Sequence, residues 1–147
     1  MSPNILICQS ERELETLFAN YFIAHIDGKK VITLRQFYEE IADLLEIPDF
    51  GFSLDALNDS LNDLQWLDDE RIVLYFTNTD EFISKERDPA KIGSVLNVLD
   101  ATAEDWKWTD DELEDKKEIV IVFEDSPRIR KLLDNETIAY KLISEIQ

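Results

Sequence analysis

The chain has 147 residues, 44 % apolar and 33 % charged, which is enough to bury one core without metals or disulfides and excludes a disordered tail. Its 15 basic residues face 33 acidic ones, a net charge of −18 with a pI near 4.2. Such a surface repels phosphates, so it argues against DNA, RNA or an anionic membrane as direct ligand and for a cationic partner, above all a basic protein that itself binds nucleic acid.

The N-terminus, Met1-Ser2-Pro3-Asn4, has no basic region, and the apolar run Ile5-Leu6-Ile7-Cys8 is too short for a signal sequence. No run approaches the ~18–20 apolar residues needed to span a bilayer. A cytoplasmic protein is expected. Ile5–Cys8 reads either as a short strand or as a tail. Ser10–Phe18 has a helical pattern, and Tyr21–Ile26 reads as a strand. Thr33 can N-cap a helix running to about Glu46, with Leu34, Phe37, Ile41, Leu44 and Leu45 on one stripe. Pro48 ends it. Ser53 precedes a second helix over Leu54–Gln65. A strand at Ile72–Phe76, a helix from Pro89 to about Thr102 and a strand at Ile119–Phe123 follow. Two helices, Ser126–Leu133 and Glu136–Ile146, close the chain, with Pro127 at the first helical position of the former.

The three strands are nearly continuous apolar runs, the pattern of a parallel sheet covered on both faces. The alternation of strands and helices predicts an α/β fold, a small parallel sheet of about three strands packed with helices. One domain spans residues 1–147, with a core over about 21–125, an extra N-terminal segment and a helical extension over 126–147. That extension carries four bases and three acids, so the negative charge lies in the body of the domain.

From Asp49 to Glu70 there are seven acids and no base. At 100° per residue Leu54, Leu57, Leu61 and Leu64 fall within about 80° of one another and must face the core. Asp55, Asp59, Asn62 and Trp66 fall on a second face, flanked by Asn58 and Asp63. Asp55 and Asp59 lie one turn apart with no lysine at i±4, an arrangement that costs a few tenths of a kcal/mol. A solvated face of an acidic protein and first-turn dipole chemistry at Asp55 are the plain readings. The functional one is a recognition face, carboxylates on a rigid element preorganised for arginines and lysines.

The segment Ile47-Pro48-Asp49-Phe50-Gly51-Phe52-Ser53-Leu54-Asp55-Ala56-Leu57-Asn58-Asp59-Ser60-Leu61 resembles the signature of the barstar family of ribonuclease inhibitors: proline, acid, aromatics, glycine, then Leu-Asp-Ala-Leu, a residue, Asp, a small residue and Leu. Ile26-Asp27-Gly28 is similar to the turn after the family's first strand. Ser94–Leu99 resembles its later helix, and Ile119–Phe123 sits where it has its last strand. The resemblance implies a small parallel sheet packed by helices. It also implies binding in the mouth of a ribonuclease, the acidic helix and the loop before it lying where substrate phosphates would be. Asp59 matches the family's central inhibitory aspartate and Asp55 its neighbour one turn earlier. Phe50 or Phe52 replaces the loop tyrosine. Asn58 stands where the archetype has a tryptophan, and Ala101, beside Asp100, where it has a contacting glutamate. The sequence leaves open whether Trp66 replaces the tryptophan that follows the acidic helix. The expected partner-binding set is Asp59, Asp55, Phe50, Phe52, Asn58, Asn62, Asp63 and Trp66.

Other chemistry is less supported. His25, the single histidine, lies mid-strand and reads as a core or strand-edge residue; no serine or cysteine pattern makes a triad around it. Cys8 reads as a buried or terminal thiol, and one cysteine excludes an internal disulfide and a cysteine-cluster zinc site. Asp55 and Asp59 lack the oxygen count calcium requires, and no cleft-forming domain makes them a glycosidase pair. The three glycines, Gly28, Gly51 and Gly93, form no phosphate loop. Trp106 and Trp108 either cap the core edge or join a partner surface. Asp110–Asp115 reads as a solvated loop or helix start. No catalytic residue, metal or cofactor is expected. The expected function is that of a bacterial immunity protein of a toxin–antitoxin kind. It would be monomeric when free and bind a basic ribonuclease or nuclease toxin 1:1 by mimicry of RNA phosphates. The alternative is an acidic adaptor for a basic protein that is not a ribonuclease.

Overall fold

Residues 3–110, 112 and 116–146 are described by the computed structural model. The elements are β1 (Ile5–Cys8), α1 (Glu11–Leu17), β2 (Phe22–Asp27), α2 (Leu34–Leu44), α3 (Leu54–Leu61), β3 (Arg71–Thr77), α4 (Pro89–Lys107), β4 (Glu118–Glu124), α5 (Pro127–Asn135) and β5 (Tyr140–Leu142), closed by a single 3₁₀ turn at Ile143–Glu145. Every strand pair is parallel, and the order across the sheet is β2-β3-β4-β1-β5. The α/β class and the parallel sheet stand as expected, with five strands rather than three.

Each helix starts where a polar side chain accepts one of the amides that the first turn leaves unpaired. Thr33 Oγ1 accepts from Gln36 N at 3.1 Å while Gln36 Oε1 accepts from Thr33 N at 3.2 Å, a reciprocal capping box at α2. Asp88 caps α4 just ahead of Pro89, and Ser126 caps α5 just ahead of Pro127. α4 runs past Thr102 to Lys107 because Leu99, Thr102, Ala103 and Trp106 keep the buried stripe in step. α3 stops at Leu61, short of Gln65, where Leu64 takes a left-handed φ of +52°.

The pleat divides the core. Ile5, Ile7, Ile72, Leu74, Phe76, Ile119, Ile121 and Phe123 point to one face, under buried residues of α2, α3, α4 and α5. Leu6, Cys8, Val73, Tyr75 and Val122 point to the other, under Leu14, Phe18 and Ile143. This second layer covers less of the sheet, and His25 of the edge strand β2 stays exposed there, its ring stacked 5.2 Å from Tyr75 and its Nε2 2.7 Å from Thr77 Oγ1.

The C-terminal segment departs from the expected pair of helices. Thr137 has a φ of +56° and ends α5, and the chain then turns into β5, which pairs with β1. Ile129 and Leu133 of α5 are fully buried in the larger core. Arg128 Nη1 donates to the Thr79 and Phe82 carbonyls at 2.9 and 2.6 Å, holding the β3–α4 loop. Residues 126–146 therefore contribute to the sheet and core rather than forming an appended helical extension. At the other end of the domain the buried Lys117 ammonium donates to the Leu67 and Asp69 carbonyls at 2.6 and 2.7 Å and ties the entry of β4 to the entry of β3. Gly28 is required by close backbone approach: a Cβ there would lie 2.1 Å from the Asn78 carbonyl oxygen. Most of the Asp110–Asp115 run lies outside the described residues. Among those described, no helix is long and apolar enough to cross a membrane.

Candidate functional site

α3 realises the two faces that its period predicts. Ser53 Oγ accepts from the Ala56 amide at 3.0 Å and starts the helix. Leu57 and Leu61 are fully buried and Leu54 packs half-buried against the core. Asp55, Asp59, Asn62 and Asp63 are exposed. Neither Asp55 nor Asp59 has a hydrogen-bond or ion-pair partner among the described residues. Their carboxylates stand in water one turn apart, on a helix whose other side is fixed in the core.

The loop ahead of α3 separates its two phenylalanines. Phe50 is half-buried, edge-on to Tyr38 at 5.8 Å between centroids. Phe52 is 42 % exposed and lies 5.3 Å from Phe50. Its φ is +49°, and Asp49 has +50°. A bulky side chain in this region costs about 1–2 kcal/mol, a strain that persists only when the surroundings impose it. Phe52 is thus the more exposed of the two loop aromatics, and Phe50 packs between it and Tyr38.

Arg35, in the first turn of α2, lays its guanidinium 5.1 Å above the Phe52 ring and pairs with Glu39 at 2.9 Å. The sequence reading missed it because the contact spans a helix and a loop. It places one cation at the rim of a stretch that has none of its own. The remaining expected residues are mixed. Asn58 is half-buried, and its carbonyl accepts from the Asn62 side-chain amide at 2.8 Å, so Asn62 spends a donor on ending α3. Asp63 lies 3.4 Å from Gln65 Nε2. Trp66 is half-buried against the core, and its indole N–H donates to the Leu45 carbonyl at 2.8 Å, closing the end of α2. Its polar end is therefore occupied within the domain.

The two later tryptophans part ways. Trp106 is buried and donates to the Leu61 carbonyl at 2.8 Å, whereas Trp108 is 74 % exposed and donates to Glu104 Oε1 at 2.7 Å. Asp100 is engaged by the Asn4 amide at 3.1 Å. Asp105, one turn beyond Ala101 and next to Trp106, is an exposed carboxylate that the sequence reading did not single out.

Elsewhere the chemistry is quiet. The Cys8 thiol is buried, and burial pushes its pKa up to about 11, so it is protonated at neutral pH. Among the described residues no three histidine, cysteine, aspartate or glutamate side chains are placed to hold a metal ion. A cavity of about 490 Å³ opens at the N-terminal ends of β1 and β4, walled by Leu6, Phe18, Tyr21, Trp106 and Val120; none of the expected partner-binding residues lines it. The acidic residues sit on a convex helix face, a shape suited to entering another molecule's cleft rather than enclosing a small ligand.

Residues 21–115, more than half of the chain, match the family model described as Barstar (barnase inhibitor). The matched span holds β2, α2, α3, β3 and α4; β1, β4 and β5 fall outside it. No curated protein matches the chain.

Proposed function

We propose, since this chain belongs to the barstar family, that it inhibits a basic ribonuclease by seating the acidic face of α3 in the enzyme's RNA-binding cleft. The observation that carries the reading is the pair Asp55 and Asp59, exposed on a packed helix with no partner among the described residues. A ribonuclease cleft offers arginines and lysines where RNA phosphates lie, and carboxylates at fixed spacing meet them through charge-assisted hydrogen bonds. Because the helix is already formed, little ordering cost opposes binding. Phe52 adds an apolar anchor beside the charges, and Asn58, Asn62, Asp63, Phe50 and Trp66 shape or support the patch. The biological setting proposed with this chemistry is a bacterial cytoplasm that must survive a nuclease toxin, with the inhibitor bound 1:1.

Titration of RNA cleavage by barnase and by a panel of other basic microbial ribonucleases tests the reading. One equivalent should abolish cleavage by the cognate enzyme at low RNA, with excess RNA restoring it. A tight complex that still cleaves RNA overturns the active-site plug, and so does a chain that binds no member of the panel.

Association should also be steered. A charge of −18 approaching a basic cleft raises k_on by about 10–10³ at low ionic strength, and salt removes much of that gain. Stopped-flow mixing across a salt series measures it; a flat response would contradict steering.

A further inference from the structure

α3 has eight residues and irregular backbone at both ends, with Phe52 before it and Leu64 after it in the left-handed region. A helix this short is not stable alone, so its placement depends on what it packs against. Its principal neighbour among the elements is α4, a 19-residue helix that itself packs on β4. At their contact Trp106 Nε1 donates to the Leu61 carbonyl, 2.8 Å away in a buried setting. Leu61 is the last residue of α3, so its carbonyl is one the helix cannot satisfy internally. The neighbouring Asn58 and Ser60 carbonyls accept from the backbone amides of Asn62, Asp63 and Leu64. The Leu61 carbonyl instead takes its donor from another helix.

We infer that Trp106 is a positioning residue for the acidic face: its indole pins the C-terminal end of α3, and with it the Asp59 carboxylate two residues away, to the α4–β4 layer. The inference rests on the reading of α3 as the inhibitory surface. At 8 % exposure Trp106 offers a partner little surface, and its N–H acts on α3 through Leu61. The indole does two things at once. Its ring fills core volume, and its N–H fixes the helix end along the direction that Asp59 must keep to meet a cationic cleft. A group held this way binds without first being ordered.

Trp106→Phe keeps an aromatic ring and removes the donor. Amide hydrogen exchange from Leu57 to Asn62 should quicken by about tenfold relative to the amides of β3 and β4, since a buried carbonyl loses its partner. With barnase as the probe, k_off should rise by about tenfold while k_on, governed by net charge, holds. In an Asp59→Ala background the effect of Trp106→Phe on k_off should vanish, whereas a merely structural role would leave the two substitutions additive. Exchange in α3 that rises only in step with the sheet overturns the inference, as does an unchanged k_off. If Trp106→Phe does not fold, the wild-type chain decides: the Trp106 indole N–H and the α3 amides should exchange with one common protection, and an indole that stays protected while α3 exchanges freely overturns the assignment. The exchange measurements need no partner. Asp59→Ala that leaves ribonuclease binding intact would instead defeat the reading of the site and leave the exchange result standing.

Discussion

Asp59→Ala should weaken binding of the cognate ribonuclease by about 2–5 kcal/mol or more, mainly through a faster k_off, while the free protein keeps its fold. The carboxylate is exposed and unpartnered in the free chain, so removing it breaks nothing internal. Relief of its repulsion with Asp55 can even add a few tenths of a kcal/mol of stability. In the complex the same carboxylate would be desolvated among arginines and lysines, where its loss strands cations without a counter-charge. Close charge pairs at the barnase–barstar interface, the family's type complex, couple by about 1.5–7 kcal/mol, which sets the scale. Asp55→Ala should rank second. Glu15→Ala is the control: Glu15 is exposed on α1, across the sheet from α3, and its loss should only lower k_on slightly through net charge. Surface plasmon resonance on the three variants separates the cases. Equal losses for Asp59→Ala and Glu15→Ala would mean that overall charge explains the affinity and α3 is merely a solvated face.

Removal of residues 126–147 should abolish cooperative folding. On the sequence alone this segment reads as two helices packed on the domain, structural rather than inhibitory, whose loss would lower stability or solubility while the residual folded protein still binds. The structure shows it supplying an edge strand to β1 and burying Ile129, Leu133, Ile138 and Ile143. At about 1.5–3 kcal/mol per buried aliphatic side chain, those four residues alone approach the entire stability of a typical domain. Arg128, which clamps the β3–α4 loop through two carbonyls, goes with them. Circular dichroism in a urea series checks this. A truncated chain that melts cooperatively and still binds would restore the simpler picture of an appendage.

The unequal legibility of the elements has physical causes. β3 and β4 announce themselves because strands buried on both faces read as unbroken apolar runs, and the edge strand β2 keeps the same run although its His25 is exposed. β1 was ambiguous because four residues carry no periodicity. β5 was hidden because Ile138, Leu142, Ile143 and Ile146 keep helical spacing, while the real determinants are the left-handed Thr137 and an open edge of β1 waiting for a partner. The acidic face of α3 was readable because one helix supplies both its charges and its buried stripe. The choice between Phe50 and Phe52 was not, since it depends on loop dihedrals, and neither was Arg35, which the fold carries onto Phe52 from another element. Trp66 showed its helical phase but not its hydrogen bond to Leu45, a contact that only the packing of α2 against the next segment creates.

The position of β1 bears on the order in which the molecule assembles. Ile5 pairs with both Ile121 and Tyr140, so β1 lies in the sheet between β4 and β5, which follow it by more than a hundred residues. Such pairings demand closure of nearly the whole chain before they reward it, which makes the search slow and leaves apolar strand edges unpaired meanwhile. On the ribosome the acidic helix emerges long before β4 and β5 exist to complete the sheet, so a nascent chain exposes its carboxylates without the layer that fixes their geometry. The geometry of the acidic face should therefore set only once the segment that carries β4, α5 and β5 has emerged, as a late step of assembly.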